Sequence, residues 1–143
     1  MTIPIEIYDY TGPGYAPLLL RPSWQVALLN WDLSCERANL KEIERHNHTD
    51  EVFVLLKGRS VLFCKAEREQ LVAFDCQQGI IYNVPTGIWH TLLADREATF
   101  LIVEKRDTHL NDTEVRPITA EELQAVDAQL PTWVKLHANS AGR

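Results

Sequence analysis

The sequence predicts an all-β sandwich or barrel in one domain, followed by a single helix. Three observations carry this. Short apolar segments rich in β-branched and aromatic residues recur along the middle of the chain, with turn residues about every 8–12 positions. No helical period interrupts residues 50–104, which excludes βαβ units. A capped amphipathic segment follows only after that run.

The elements read in order as follows. Met1–Ser23 holds Pro4, Pro13, Pro17 and Pro22 with two glycines, and reads as an arm with short extended pieces. Trp24–Trp31 is apolar and unbroken, with the length of a buried strand. Strands are then expected over Val52–Leu56, Ser60–Cys64, Leu71–Phe74, Ile80–Val84, His90–Ala94 and Ala98–Glu104. The first five each end at a turn signal: Lys57-Gly58, the KAEREQ run, Asp75, Pro85 and Asp95-Arg96-Glu97. Thr119-Ala-Glu-Glu122 has the form of a capping box. Leu123, Val126 and Leu130 then fall on one helical face, and Pro131 stops the helix. The expected organisation is one domain over 1–143: an arm at 1–23, a barrel at 24–105 and a helix at 119–130, with a frayed HANSAGR end.

Composition narrows the function. The 143 residues carry 14 Lys and Arg against 20 Asp and Glu, a formal charge of −6. Such a chain is a poor general ligand for nucleic-acid phosphates or anionic membranes, and no basic run or basic stripe with aromatics appears. Cys35, Cys64 and Cys76 are odd in number and far apart, so neither a disulfide framework nor a cysteine zinc site is expected. The N-terminus lacks the order of a signal peptide, and no apolar run approaches the length of a membrane span. A cytoplasmic protein is expected. Nucleotide-binding glycine loops, a G-x-S-x-G elbow and H-E-x-x-H are absent.

The histidines carry the chemistry. His46 and His48 stand in RHNHTDE before a strand, and His90 opens a later one. Taken alone, RHNHTDE is a polar turn. In extended chain an H-x-H pair projects both imidazoles to one face, and a distant histidine on a neighbouring strand can complete a metal set. Late polar segments place His109 and His137 where no function is required. Cys64 reads as a packed thiol, since no basic group lies beside it in sequence. Tyr82, Trp89 and Phe63 are candidates to line a ligand pocket, with plain core as the other reading.

The pattern Gly79-IIYNV-Pro85-Thr-Gly87-Ile-Trp-His90 resembles the second motif of the cupin superfamily, the RmlC-like jelly-roll barrels, with every spacing kept through the histidine. Ala94 stands where that family often has Asn. The first motif is met in part: His46-Asn-His48 is present and Glu51 lies at the motif's distance from Gly58, but Leu40 replaces the leading Gly and the gap from His48 to Glu51 is one residue short. The resemblance covers residues 40–105. It implies a cupin-type double-stranded β-helix with an N-terminal arm and one C-terminal helix, and a homodimer paired through its N-terminal strands. It makes His46, His48, Glu51 and His90 the metal-ligand positions for a divalent ion: Fe, Mn, Ni or Zn, among which mixed nitrogen and oxygen ligation does not choose.

The short gap sets a problem of phase. In a flat strand residues 46, 48 and 50 share a face that residue 51 does not. Either a bulge at Thr49-Asp50 brings Glu51 to the histidines, or Asp50 replaces it as the carboxylate, or the full set does not form. The expected function is accordingly a small cupin that binds a divalent metal and a small polar metabolite. As an enzyme the resemblance would make it an isomerase, lyase or dioxygenase. The alternative is a metal-free binding protein or sensor for a sugar or organic acid.

Overall fold

The computed structural model describes residues 2–134, and His137 with the rest of HANSAGR lies outside the described residues. Ten strands form two antiparallel five-stranded sheets that face each other. They are β1 (Gly14–Leu20), β2 (Gln25–Asn30), β3 (Glu42–Arg45), β4 (Glu51–Lys57), β5 (Ser60–Lys65), β6 (Val72–Asp75), β7 (Ile81–Val84), β8 (Trp89–Ala94), β9 (Thr99–Glu104) and β10 (Glu114–Pro117). One sheet has the order β1-β2-β9-β4-β7 and the other β10-β3-β8-β5-β6. After β9 come a single turn, α1 (Thr108–Asn111), and the longer α2 (Ala120–Ala128).

Every strand expected between residues 51 and 104 is present within a residue or two of its reading. Three strands were not expected. β1 lies inside the arm. Its pairing with β2 slips between Pro17 and Leu19, and a proline without an N–H is tolerated at such an edge. β3 and β10 pair with each other and read EIER and EVRP, too polar to signal a strand.

The register of the first sheet builds the inside of the barrel in rows. Gln25 of β2, Glu104 of β9 and Glu51 of β4 stand side by side. The next inward row is Ala27, Ile102 and Phe53, and the one beyond is Leu29, Phe100 and Leu55. Strand alternation sends residues two apart to the same face. One end of the barrel is therefore polar and the rest apolar. Phe53 and Phe100 meet edge to face at 5.7 Å in the apolar part.

The second sheet is covered on both faces. Leu62 and Ala94 point inward to the barrel core, while Val61, Phe63, Trp89 and Leu93 point outward to a second core. Helix α2 closes that outer core through Val126, which is fully buried, with Leu123 and Leu130 beside it. The Thr119 side chain caps α2 by accepting from the Glu122 amide at 3.1 Å, as expected. Glu122 does not complete the reciprocal bond of a capping box, for its carboxylate pairs with Arg116 at 2.9 Å.

Gly58, between β4 and β5, has φ +75°, and a Cβ there would lie 2.5 Å from the Ala98 backbone. Both the dihedral and the contact exclude a side chain. Gly58→Ala is expected to destabilise the fold by about 2 kcal/mol or more. A urea unfolding curve checks this through a lowered midpoint at unchanged slope.

Candidate metal centre

His46, Glu51, His90 and Glu44 offer ligand atoms that all lie within 4.8 Å of one another. They come from both walls of the barrel. Glu44 sits on β3, directly opposite His90 of β8. His46 follows the end of β3, and Glu51 begins β4 in the other sheet. The loop 46–50 thus carries the chain from one sheet to the other. The strands keep no common phase across it, so no bulge at Thr49-Asp50 is needed. Glu51 meets His46 from across the barrel, not from farther along the same strand.

The crossing is pinned at both ends. The Asp112 carboxylate accepts the Asn47 and His48 amides, each at 2.9 Å. Asp50 accepts from the Thr86 amide at 2.9 Å, from its hydroxyl at 3.0 Å and from Asn83 at 3.1 Å. The Gly87 amide donates to the His46 carbonyl at 2.7 Å. With φ +83°, Gly87 occupies the left-handed region that closes the Pro85–Gly87 turn. The two motifs are thereby tied to each other through the backbone.

His48 is not brought to the cluster. The chain bends at Asn47-His48, so the H-x-H pair is not extended and its rings diverge. The His48 side chain is 73% exposed and lies 3.1 Å from Asp112. Asp50 is spent on the Pro85–Gly87 turn and does not replace Glu51. Glu44, two residues before His46, takes the place left by His48, with its Oε1 3.7 Å from His90 Nε2.

The three buried members are 2–6% exposed. The Glu51 Oε2 stands 2.8 Å from His46 Nε2 and 2.9 Å from His90 Nε2. On the far side of each ring, Nδ1 faces a backbone carbonyl: Asp112 at 2.7 Å for His46, Ile88 at 3.0 Å for His90. A carbonyl only accepts, so each Nδ1 carries a proton. In a neutral ring the Nε2 lone pair then points at Glu51. Two nitrogen lone pairs and a carboxylate oxygen converge, and such a set requires a cation or protons between its members. A metal ion with ligands at about 2.0–2.2 Å holds adjacent ligand atoms about 3 Å apart. The donor set, its spacing and its carbonyl-fixed tautomers fit a divalent ion.

Protonation answers the same need. Burial opposes the charge on His46, but the Glu51 hydrogen bond and charge outweigh it and lift the ring to about 9. His90 moves the same way by the same balance. Burial would raise Glu51, but its two imidazole partners bring it down to about 2.

Beside this set, Glu104 is buried, and its Oε1 accepts from the Tyr15 hydroxyl and from Gln25 Nε2. Burial, then the charge of Glu51, push its carboxyl up to about 7. His109 of α1 lies 3.1 Å from Gln25 through Nδ1. Apart from Gln25, which lies behind them, these groups line one cavity of about 520 Å³, the size of a small-metabolite site.

None of Tyr82, Trp89 and Phe63 lines that cavity. Phe63 and Trp89 fall on the outward face of the second sheet and belong to the core under α2. Trp89 is held there between the guanidiniums of Arg45 and Arg116, 4.5 and 4.6 Å from its ring. Tyr82 packs against the barrel core and borders a separate groove beside β6. Cys64 is a packed thiol as expected, pushed up to about 12 by burial. Sequence reasoning missed Glu44, Tyr15, Gln25, Glu104 and His109. A signal existed for Glu104, since alternation from Phe100 and Ile102 runs straight to it.

No protein-family model matches the chain, and no curated protein matches it. Solved structures do. A protein from Bacillus halodurans aligns at 14% identity and TM-score 0.54, over 80% of this chain and 83% of that one. A variant of Streptomyces PAC13 with uridine aligns at 11% identity and TM-score 0.53, over 82% of this chain and 96% of that one. A cupin-2 domain protein from Shewanella frigidimarina aligns at 24% identity and TM-score 0.49, over 68% and 85%. Among the described residues no helix is long and apolar enough to cross a membrane.

A prediction follows for protein stripped of metal by a chelator. The raised His46 stabilises the fold fully below its ordinary 6.5 and loses that contribution as pH rises through about 9. The lowered Glu51 contributes above its ordinary 4.5 and loses that as pH falls through about 2. Melting temperature should therefore peak between these ordinary values and decline toward pH 9. Glu51→Gln should flatten the alkaline decline, as a series of thermal melts would show.

In its paired five-stranded sheets, its strand order and its likeness to the Bacillus halodurans and Streptomyces structures, the chain has the cupin-type double-stranded β-helix fold.

Proposed function

We propose that this protein binds a divalent metal ion through His46, Glu51, His90 and Glu44, and a small polar metabolite in the cavity above them. One observation carries the reading: both histidines have Nδ1 committed to a carbonyl and Nε2 turned to the same buried carboxylate oxygen. A divalent ion held there supplies Lewis acidity toward an oxygen of the bound metabolite. The chain's own groups do the rest. Glu51 and the two imidazoles place the ion, and the apolar rows beneath exclude water from that end of the cavity.

A second reading, a metal-free binding protein, is favoured by the closure of the same three groups on one another at 2.8 and 2.9 Å. Metal analysis of protein purified without chelator separates the two. Under the first reading, wild type and His48→Ala carry stoichiometric metal, while His46→Ala and His90→Ala lose it. Metal-free wild type, or His46→Ala and His90→Ala variants that retain full metal, would sink it.

We also propose that two copies pair through the outer face of the first sheet. Val26, Val103 and Val52 form one aligned row there, and Leu28, Leu101 and Val54 the next. All six are half-buried aliphatics on the face that turns away from the barrel core. Light scattering is expected to give a dimer for wild type and a monomer for Leu101→Lys.

A further inference from the structure

The two imidazoles of the metal centre are oriented in different ways. His90 donates from Nδ1 to the Ile88 carbonyl, two residues back in its own segment, so ring and acceptor arrive together. His46 has no such local partner. It follows the last residue of β3, outside the ladder. Its Nδ1 donates at 2.7 Å to the Asp112 carbonyl, 66 residues downstream. The Thr113 hydroxyl oxygen stands 3.4 Å from the same nitrogen. Among the described residues, the Nδ1 side of His46 is therefore held only by the segment that leaves α1.

That segment is itself fixed. The Asp112 amide donates to the Thr108 carbonyl at 3.0 Å, which closes α1. The Thr113 hydroxyl donates to the same carbonyl at 2.9 Å. Thr108 is buried, so the peptide between residues 112 and 113 is anchored on both sides to a point inside the protein. The Asp112 side chain reaches the other way. One of its carboxylate oxygens accepts the Asn47 amide and the other the His48 amide, each at 2.9 Å. Farther back, the Lys105 amide donates to the Thr49 hydroxyl at 3.1 Å. Residues 105–113 thus clasp the 46–50 loop along its length, and Asp112 alone grips both the backbone beside His46 and the His46 ring.

We propose that Asp112 is a positioning residue for the metal centre. Its carboxylate stations the backbone that carries His46, and its carbonyl turns the imidazole so that Nε2 meets the ion. Asp112 does not itself belong to the ligand set. The proposal rests on the metal reading above and names the residue on which one ligand of that set depends. A ring without its outer partner samples other directions and must be ordered again when the ion binds, which costs affinity. The effect falls on one ligand. His90 keeps its own carbonyl, and Glu51 is placed by the ladder of β4 with β7 and β9.

Calorimetric titration of cobalt(II) into the chelator-treated full chain tests it, with the visible absorption of the bound cobalt recorded alongside. Asp112→Ala is expected to weaken cobalt binding about 10–100-fold and to alter the absorption bands. Asp112→Asn keeps the size of the side chain and one accepting oxygen, so it should weaken binding by a smaller factor. It also decides the matter should Asp112→Ala fail to fold. Gly58→Ala serves as the control for lost stability, because it lies at the far end of β4 from Glu51. It should keep wild-type affinity and bands. A lowered melting temperature with unchanged affinity and bands in every folded Asp112 variant would show a merely structural role and overturn the proposal alone. Equal weakening in Gly58→Ala overturns it too. Wild type that takes up no cobalt overturns the metal reading and this proposal together.

Discussion

The site depends on the chain leaving one sheet and entering the other between Arg45 and Glu51. Had β3 continued into β4, alternation would have set Glu51 on the opposite face from His46 and His48. The crossing removes that constraint. It lets the carboxylate arrive from one wall and the imidazoles from the other. Its five residues contain no strand, so side chains must supply what a sheet ladder would. Asp112 does this at one end by accepting the Asn47 and His48 amides, and Asp50 anchors the other end by accepting the Thr86 amide of the neighbouring turn.

The polar end of the barrel is tolerable because its groups satisfy one another. Burying a single carboxylate or imidazolium beside Phe53 and Ile102 would be strongly unfavourable. Glu51 escapes this through two short charge-assisted contacts, and Glu104 through Tyr15 and Gln25 on one of its two oxygens. The two carboxylates stand on adjacent strands in the same row. The two imidazoles hold Glu51 charged, and its charge, added to burial, pushes Glu104 toward neutrality.

Much of this is legible in the sequence, and what is not depends on contacts between segments far apart in the chain. The strands from 51 to 104 announced themselves because they alternate apolar and turn residues. His46, Glu51 and His90 stood out through motif spacing. His48 falls outside the site because H-x-H is not extended chain here: Asp112 captures the Asn47 and His48 amides and bends it. In sequence Trp89 and Phe63 suit a pocket as well as a core, because aromatic residues fit either side of a strand. Only the presence of α2 decides that their side is a second core. β3 escaped notice since the face it turns inward is Glu44, and a strand lining a polar site lacks the apolar signature that marks strands elsewhere.

Trp89 and His90 are neighbours on β8 that face opposite ways, one locked between two arginines and the other aimed at Glu51. The strand is thus a lever with a fixed fulcrum. A twist that would slacken the imidazole must also drag an indole out of a close-packed, cation-flanked slot. Mechanical stiffness at the ligand atom is therefore supplied from outside the barrel. Substitutions beneath the C-terminal helix would be felt as altered geometry at a site they never touch.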